Sequence, residues 1–120
     1  MKKESSLWLG QAERDFDNAE YNLKGKRYDV VLFYTHQTAE KALKALMIEK
    51  KGHYEKIHDI VKLGKEVGVP DFLLDKAKEL TQAYSYVRYP DVVKVSNLNK
   101  LAHDFIDYTR KLLKWVKQQI

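Results

Sequence analysis

The stretch around one arginine, which also holds three tyrosines and a proline, has the residue types that best suit ligand binding. Residues 84–91 read Tyr-Ser-Tyr-Val-Arg-Tyr-Pro-Asp. Tyr84 and Arg88 are four residues apart, so they share a helix face if the helix continues to Arg88. Arg88 then either pairs with the carboxylate of Asp91, as a staple at the helix end, or is held ready for an external phosphate. In the second case three rings offer stacking surface: Tyr84, Tyr86 and Tyr89.

A second set of polar residues lies within residues 28–51, a stretch without Gly or Pro. On a helix its apolar residues cover more than half of the circumference, which is typical of the buried centre of a bundle. Glu40 and Lys44 have the favourable order for a pair four residues apart, worth a few tenths of a kcal/mol if exposed. The alternative is that the polar residues face a ligand or another subunit. They form one narrow arc: Gln37, Glu40, Lys41 and Lys44.

The four histidines, His36, His53, His58 and His103, have no obvious spacing for metal ligands, and HExxH is absent. His53 and His58, with two acidic residues nearby, leave a metal site open as an alternative, but we predict no metal and no cofactor. Asp59 suits the start of a short helix. His103 falls on the polar face of the last helix, which is typical of a solvated surface residue.

The composition excludes several classes of protein. The chain has no cysteine, no Gly-rich phosphate loop, no apolar run long enough to span a membrane and no apolar core of a signal peptide near its start. We therefore expect a cytoplasmic protein without membrane association. The net charge of +5 is uneven: −2 over residues 1–23, +5 over 24–65 and +2 over 66–120. This excess fits either a lysine-rich solubilising surface or contact with a nucleotide or RNA.

The elements that must position these residues are helices. The pattern predicts one domain over residues 1–120: an all-α, antiparallel up-and-down bundle of four long helices plus one short helix. The first long helix should run from an N-cap at Ser5 or Ser6 to Lys24, before Gly25. The others are expected at residues 28–51, 72–88 and from 97 or 98 onward, with the short helix at 58–66. Asp71 is the expected cap of the third, and Val92, Val93 and Val95 suggest an extended piece in the loop that follows.

Two segments together resemble the HEPN domain family (higher eukaryotes and prokaryotes nucleotide-binding), in its small stand-alone prokaryotic form. One is residues 36–46, His-Gln-Thr-Ala-Glu-Lys-Ala-Leu-Lys-Ala-Leu, and the other is residues 88–91, Arg-Tyr-Pro-Asp. Trp8 in an acidic first helix, residues 25–28 and His58-Asp59-Ile60 extend the resemblance over nearly the whole chain.

The resemblance implies a helical bundle that commonly dimerises, binds a nucleotide and often pairs with a minimal nucleotidyltransferase in a toxin–antitoxin or similar two-component system. Many HEPN relatives are metal-independent RNases with an Arg followed four to six residues later by His. Here Arg88 matches, but the next histidine is His103, fifteen positions on. A general acid or base is missing from the expected position.

Three hypotheses follow from these residues. In the first, the protein is a homodimeric module that binds a nucleotide, RNA or a partner protein. Its ligand-binding residues are Arg88, Asp91, Tyr84, Tyr89, Gln37, Lys41 and Lys44. In the second, it is a metal-independent endoribonuclease that uses Arg88 with an unconventional base, His58 or His103. In the third, it is a structural or regulatory dimer without a ligand, and Arg88–Asp91 is an internal clamp.

Overall fold

Helices make up all the regular structure in the described part of the chain. The structure, a computed structural model, describes residues 1–88 and 97–120, and it describes residues 86–88 by their backbone alone. Within these ranges there are six helices: α1 (Lys3–Lys24), α2 (Tyr28–Lys51), α3 (Ile60–Glu66), α4 (Asp71–Leu74), α5 (Ala77–Arg88) and α6 (Leu98–Gln119). Each of these helices is too short or too polar to cross a membrane.

The central position predicted for α2 is confirmed. Side chains such as Leu32, Leu43 and Leu46 are almost completely buried, and α1, α3, α5 and α6 all pack against this helix. It ends where the sequence predicts, because Gly52 adopts a left-handed φ of 82° and donates its N–H to the carbonyl of Ile48 at 2.8 Å. A glycine in this conformation satisfies a terminal carbonyl without the strain that a Cβ would cause.

Contacts between α1 and its neighbours show the antiparallel arrangement. The Lys2 N–H donates to Glu49 Oε1 at one end of the α1–α2 pair, while Asp15 meets Lys41 nearer the other. Along α1 and α6 the ion pairs likewise run in opposite directions: Glu13 with Lys117, and Glu20 with Arg110. The predicted all-α antiparallel bundle is therefore confirmed.

The predicted start of α1 is wrong by a few residues. Neither Ser5 nor Ser6 caps the helix, which begins at Lys3 with Lys2 as N-cap. Lys2 can take this place because its N–H binds Glu49 and its ammonium donates to the carbonyl of Ile48 at 3.2 Å. Tertiary contacts to the end of α2 thus extend α1, and Ser5 becomes a buried residue of its first turns.

The expected single helix over residues 72–88 is in fact two helices. The first begins at Asp71 after Pro70 as N-cap, so the expectation that Asp71 is the cap is wrong, and the break lies between Leu74 and Ala77. The apolar stripe continues across the break because Asp75 keeps helical dihedral angles, so the sequence pattern contains no sign of it. The packing changes there: α4 contacts α6, whereas α5 packs on α2 and α3.

The remaining boundaries agree with expectation to within about two residues. Asp59 caps α3 by accepting the N–H of Lys62 at 3.2 Å, and α6 begins after Asn97. The predicted extended piece around Val92, Val93 and Val95 lies outside the described residues.

Candidate functional site

Two rings of α2, those of His36 and Phe33, contact the ring of Tyr84 on α5. The Tyr84 ring stacks on the imidazole of His36, with the centroids 4.1 Å apart and the planes at 16°. The ring of Phe33, one turn earlier on α2, lies 6.1 Å from Tyr84 at 27°. Phe33 is 40% exposed, although most large apolar residues of the bundle are buried. Part of this stack therefore faces solvent, where a planar ligand can reach it.

His36 is a buried histidine that the fold keeps neutral. It is 1% exposed, and burial lowers its pKa from 6.5 to about 4. The charge of Glu40 acts in the opposite direction, while His58 and Lys44 lower the pKa further. Its Nδ1 has no hydrogen-bond partner among the described residues. At neutral pH the ring is therefore an uncharged stacking surface with one unused nitrogen.

Glu40, one turn after His36 on α2, connects the side chains of Lys44 and His58. It is 6% exposed, and each carboxylate oxygen has its own partner: Oε2 accepts from Lys44 Nζ at 3.1 Å, and Oε1 lies 2.9 Å from His58 Nδ1. The buried carboxylate is thus compensated from two sides, as a charge out of water requires. We refer to Phe33, His36, Glu40, Lys44, His58 and Tyr84 as the His36 cluster.

Lys44 is enclosed as well as paired. Only 4% exposed, it holds its ammonium 5.7 Å from the centre of the Trp8 ring and 5.5 Å from that of Tyr54. These rings lie 4.8 Å apart at 57°. Aromatic faces attract a cation by about 0.5–2 kcal/mol each, so the enclosure stabilises the charge in place. The Trp8 ring, named above only as part of the family resemblance, here lies against the buried ammonium of Lys44.

The other residues of the predicted polar arc are also engaged in the bundle. Lys41 Nζ lies 2.6 Å from Asp15 Oδ2 on α1, and both side chains are largely shielded from water. Gln37 is half-buried and lies one turn after Phe33 on α2. The arc therefore faces α1 and the loop after α2 more than open solvent. The positive charges of Lys41 and Lys44 are balanced by carboxylates of the same chain.

The structure brings some of the predicted site residues together and separates one from them. Tyr84 and His58 both belong to the His36 cluster, and Arg88 is the last residue of α5, one turn beyond Tyr84. His103 is exposed on α6 and donates from Nδ1 to the carbonyl of Asn99 at 2.8 Å, within its own helix. The remaining two predicted residues lie outside the described residues: Tyr89 and Asp91.

The alternative of a metal site near His53 gains no support. Among the described residues, no three of the histidine, aspartate and glutamate side chains lie close enough together to hold a metal ion. His53 instead contacts the carbonyl of Lys51, its Nδ1 3.2 Å away.

Sequence reasoning missed the two α2 residues that complete the site, His36 and Phe33. His36 stands four residues before Glu40, which itself stands four before Lys44, and this regular spacing on one helix face is the available signal. The signal is easily overlooked, because a histidine on a mostly apolar helix suggests a metal ligand first and the spacing for one is absent. The partner of His36, Tyr84, comes from a helix 48 positions later, and no local pattern predicts that contact.

The fold and the site define a small all-α protein whose central helix carries a buried His-Glu-Lys row. The sequence matches the model of the HEPN domain over residues 5–119, and the chain therefore belongs to the HEPN domain family. No curated protein matches the sequence.

Two solved structures share the fold over almost their whole length. TT1696 from Thermus thermophilus is 28% identical, with a TM-score of 0.86, and the match covers 99% of this chain and 100% of TT1696. ST0689, described as an archaeal HEPN homologue, is 33% identical, with a TM-score of 0.79 over 99% of this chain and 98% of ST0689.

Proposed function

We propose that this protein is a HEPN binding module that acts as a homodimer and binds a nucleotide or RNA where the end of α5 meets α2. The observation that supports this most strongly is the aromatic stack: Tyr84 stacks on His36 and also lies against the partly exposed Phe33. Stacking on such rings contributes about 1–3 kcal/mol per base and tolerates any base.

In this proposal each residue has a distinct role. A base stacks on the edge of the Phe33–Tyr84 pair, and Arg88, one turn beyond Tyr84, binds a phosphate. Gln37, one turn after Phe33, is a candidate for hydrogen bonds to the base or sugar. Tyr89 and Asp91, which directly follow Arg88 in sequence, are candidates to complete the phosphate side.

The two lysines of the predicted site take a supporting role. The ammonium of Lys41 already pairs with Asp15 and that of Lys44 with Glu40, so neither charge is free for a phosphate without breaking an internal pair. They act instead by holding α1, α2 and the loop after α2 together beneath the stack.

The low pKa of His36 argues against this residue as a general base. A catalytic base is most effective when its pKa lies near the working pH, whereas burial lowers the pKa of His36 to about 4. A neutral ring that rarely takes a proton is well suited to stacking and poorly suited to proton transfer.

Titration with mononucleotides and short single-stranded RNA tests the proposal. Arg88→Ala and Phe33→Ala should each weaken binding by about tenfold, the loss expected for one stacked base or one phosphate contact. The matched controls are Arg14→Ala, an exposed arginine of α1, and Phe72→Ala, an exposed phenylalanine of α4. The proposal fails if no nucleotide or RNA binds, or if Arg88→Ala binds as tightly as the wild type.

A second candidate function rests on His58. Its imidazole side chain is 80% exposed while Nδ1 lies against the buried carboxylate of Glu40. An accessible imidazole oriented by a carboxylate is an arrangement that acid–base catalysis uses. This pair supports a metal-independent endoribonuclease in which Arg88 binds the phosphate. RNA cleavage in EDTA should then disappear in both His58→Ala and Arg88→Ala, whereas His103→Ala tests the other candidate base.

The proposal also includes two protein partners, a second copy of the chain and a nucleotidyltransferase. By its family, the protein is expected to dimerise and to pair with a minimal nucleotidyltransferase in a toxin–antitoxin-like system. Sedimentation velocity tests the dimer, and co-purification with a nucleotidyltransferase encoded in a neighbouring reading frame tests the pair. If Arg88→Ala lowers only thermal stability and alters no binding, the structural-dimer hypothesis replaces both others.

A further inference from the structure

A groove between α4 and α6 exposes an aromatic side chain. Phe72 is 73% exposed, and with Leu73 it lines two adjoining depressions of about 670 and 290 Å³. Trp115, half-buried on α6, lines the smaller one. Volumes of this size are typical of ligand-binding clefts. We call this surface the α4–α6 groove.

The wall that α6 contributes is long and regular. The lining residues of α6 run from Lys100 to Gln118 with the three-or-four-residue repeat of a single helix face, widened by the adjacent pairs 107–108 and 114–115. At 1.5 Å per residue this face is about 27 Å long. Such a length fits an amphipathic helix of about 18 residues better than a small molecule.

The charge of the groove is positive where the surface is apolar. Lys111 and Lys114 line it beside Trp115, and neither makes an ion pair within the described residues. Two further cations of the groove are already neutralised by pairs: Lys76 with Glu79, and Lys100 with Asp104. The unpaired positive charge therefore stands next to the exposed apolar residues.

The charges of the groove favour one kind of occupant. Its two carboxylates, Asp104 and Asp107, are already paired with Lys100 and Arg110, whereas Lys111 and Lys114 have no such partner among the described residues. A protein segment that carries carboxylates beside apolar side chains complements both the two free lysines and the exposed aromatic surface.

We propose that the α4–α6 groove binds an acidic amphipathic helix of a partner protein. An aromatic or aliphatic side chain of that helix packs between Phe72 and Trp115, and its carboxylates pair with Lys111 and Lys114. This surface is separate in sequence and in lining residues from the proposed nucleotide site at Phe33, so either proposal can fail without the other.

Selection from peptide libraries tests the proposal. The probes are two displayed libraries of 18-residue amphipathic helices with identical apolar positions, one with acidic and one with basic polar positions. The acidic library should yield binders to the full chain, measured afterwards by fluorescence anisotropy. Phe72→Ala and the double variant Lys111→Glu/Lys114→Glu should each weaken these binders at least tenfold.

The control carries the same change of charge elsewhere. Lys62→Glu/Lys65→Glu alters two exposed lysines of α3 and should leave peptide binding unchanged. Thermal unfolding shows whether each variant is folded. The proposal is overturned if the acidic library enriches no binder. It is also overturned if the selected peptides bind Phe72→Ala and Lys111→Glu/Lys114→Glu as tightly as the wild type. It is equally overturned if Lys111→Glu/Lys114→Glu instead changes the oligomeric state or abolishes RNA binding.

Discussion

The imidazole of His36 lies nearly parallel to the ring of Tyr84, 4.1 Å from centroid to centroid, and the stack links the middle of α2 to the last turns of α5. His36 is almost completely buried, and the Tyr84 ring covers one face of its imidazole. The same contact fixes the position of α5 one turn before Arg88. The chemistry of His36 and the placement of the arginine therefore depend on one pair of rings.

Because His36 is buried in its uncharged form, the protein should be less stable in mild acid. Its pKa is lowered from an ordinary 6.5 to about 4 in the fold, so the unfolded chain takes up a proton first as the pH falls. The free energy of unfolding should thus decrease between pH 6.5 and pH 4, by about 3 kcal/mol from this residue, and change no further below that range.

Urea unfolding of wild type and His36→Gln at pH 7, 5.5 and 4 measures this loss. The difference between the two proteins isolates His36 from Glu40, His58 and Lys44, which face it and are present in both. Identical pH dependence in the two proteins would contradict the prediction.

Removing the cover should bring the pKa of His36 back towards its ordinary value. Tyr84→Ala admits water to the imidazole, and desolvation is the largest cause of the lowered pKa. We expect an increase of about one pKa unit or more, followed by NMR of the imidazole carbon-bound protons against pH. Tyr21→Ala, at an exposed position of α1, should leave the pKa unchanged. An unchanged value in Tyr84→Ala would show that the surrounding helices alone exclude water.

Glu40→Gln should destabilise the protein by about 3 kcal/mol, because it leaves the buried ammonium of Lys44 without its carboxylate. The double variant Glu40→Leu/Lys44→Met removes both charges and should recover much of that loss. Glu79→Gln, which breaks the more exposed pair with Lys76, should cost about 0.5 kcal/mol or less. Chemical denaturation at pH 7 measures all three. A loss in Glu40→Gln no larger than in Glu79→Gln would show that the Glu40 pair contributes nothing beyond a surface pair.

The sequence predicts the helices well because their signals are local. The apolar stripe of α2 and the glycine at 52 mark a buried helix and its end without reference to the rest of the chain. The break between α4 and α5 was missed because it leaves the apolar spacing intact, and it coincides with a change of packing partner. The start of α1 was missed for a similar reason, since Glu49 and Ile48 of another helix hold Lys2.

The candidate site was only half predictable. Tyr84 and Arg88 are close in sequence, so their spacing alone suggests a shared face. The lysines of the polar arc were expected to face a ligand, but their charges are balanced by Asp15 and Glu40, and Asp15 lies 26 residues from Lys41. Helical periodicity shows which residues share a face and does not show what lies opposite that face.

Two glycines should respond in opposite directions to the same substitution. Gly10 lies on the exposed side of α1, and a Cβ there meets no atom within 4 Å, so Gly10→Ala should stabilise the protein by about 0.5–1 kcal/mol through helix propensity. Gly52 also has room for a Cβ, but its φ of 82° strains any side chain, so Gly52→Ala should destabilise by about 1 kcal/mol. Thermal or urea unfolding of both variants measures this. Stabilisation by Gly52→Ala would mean that the end of α2 does not require the left-handed conformation.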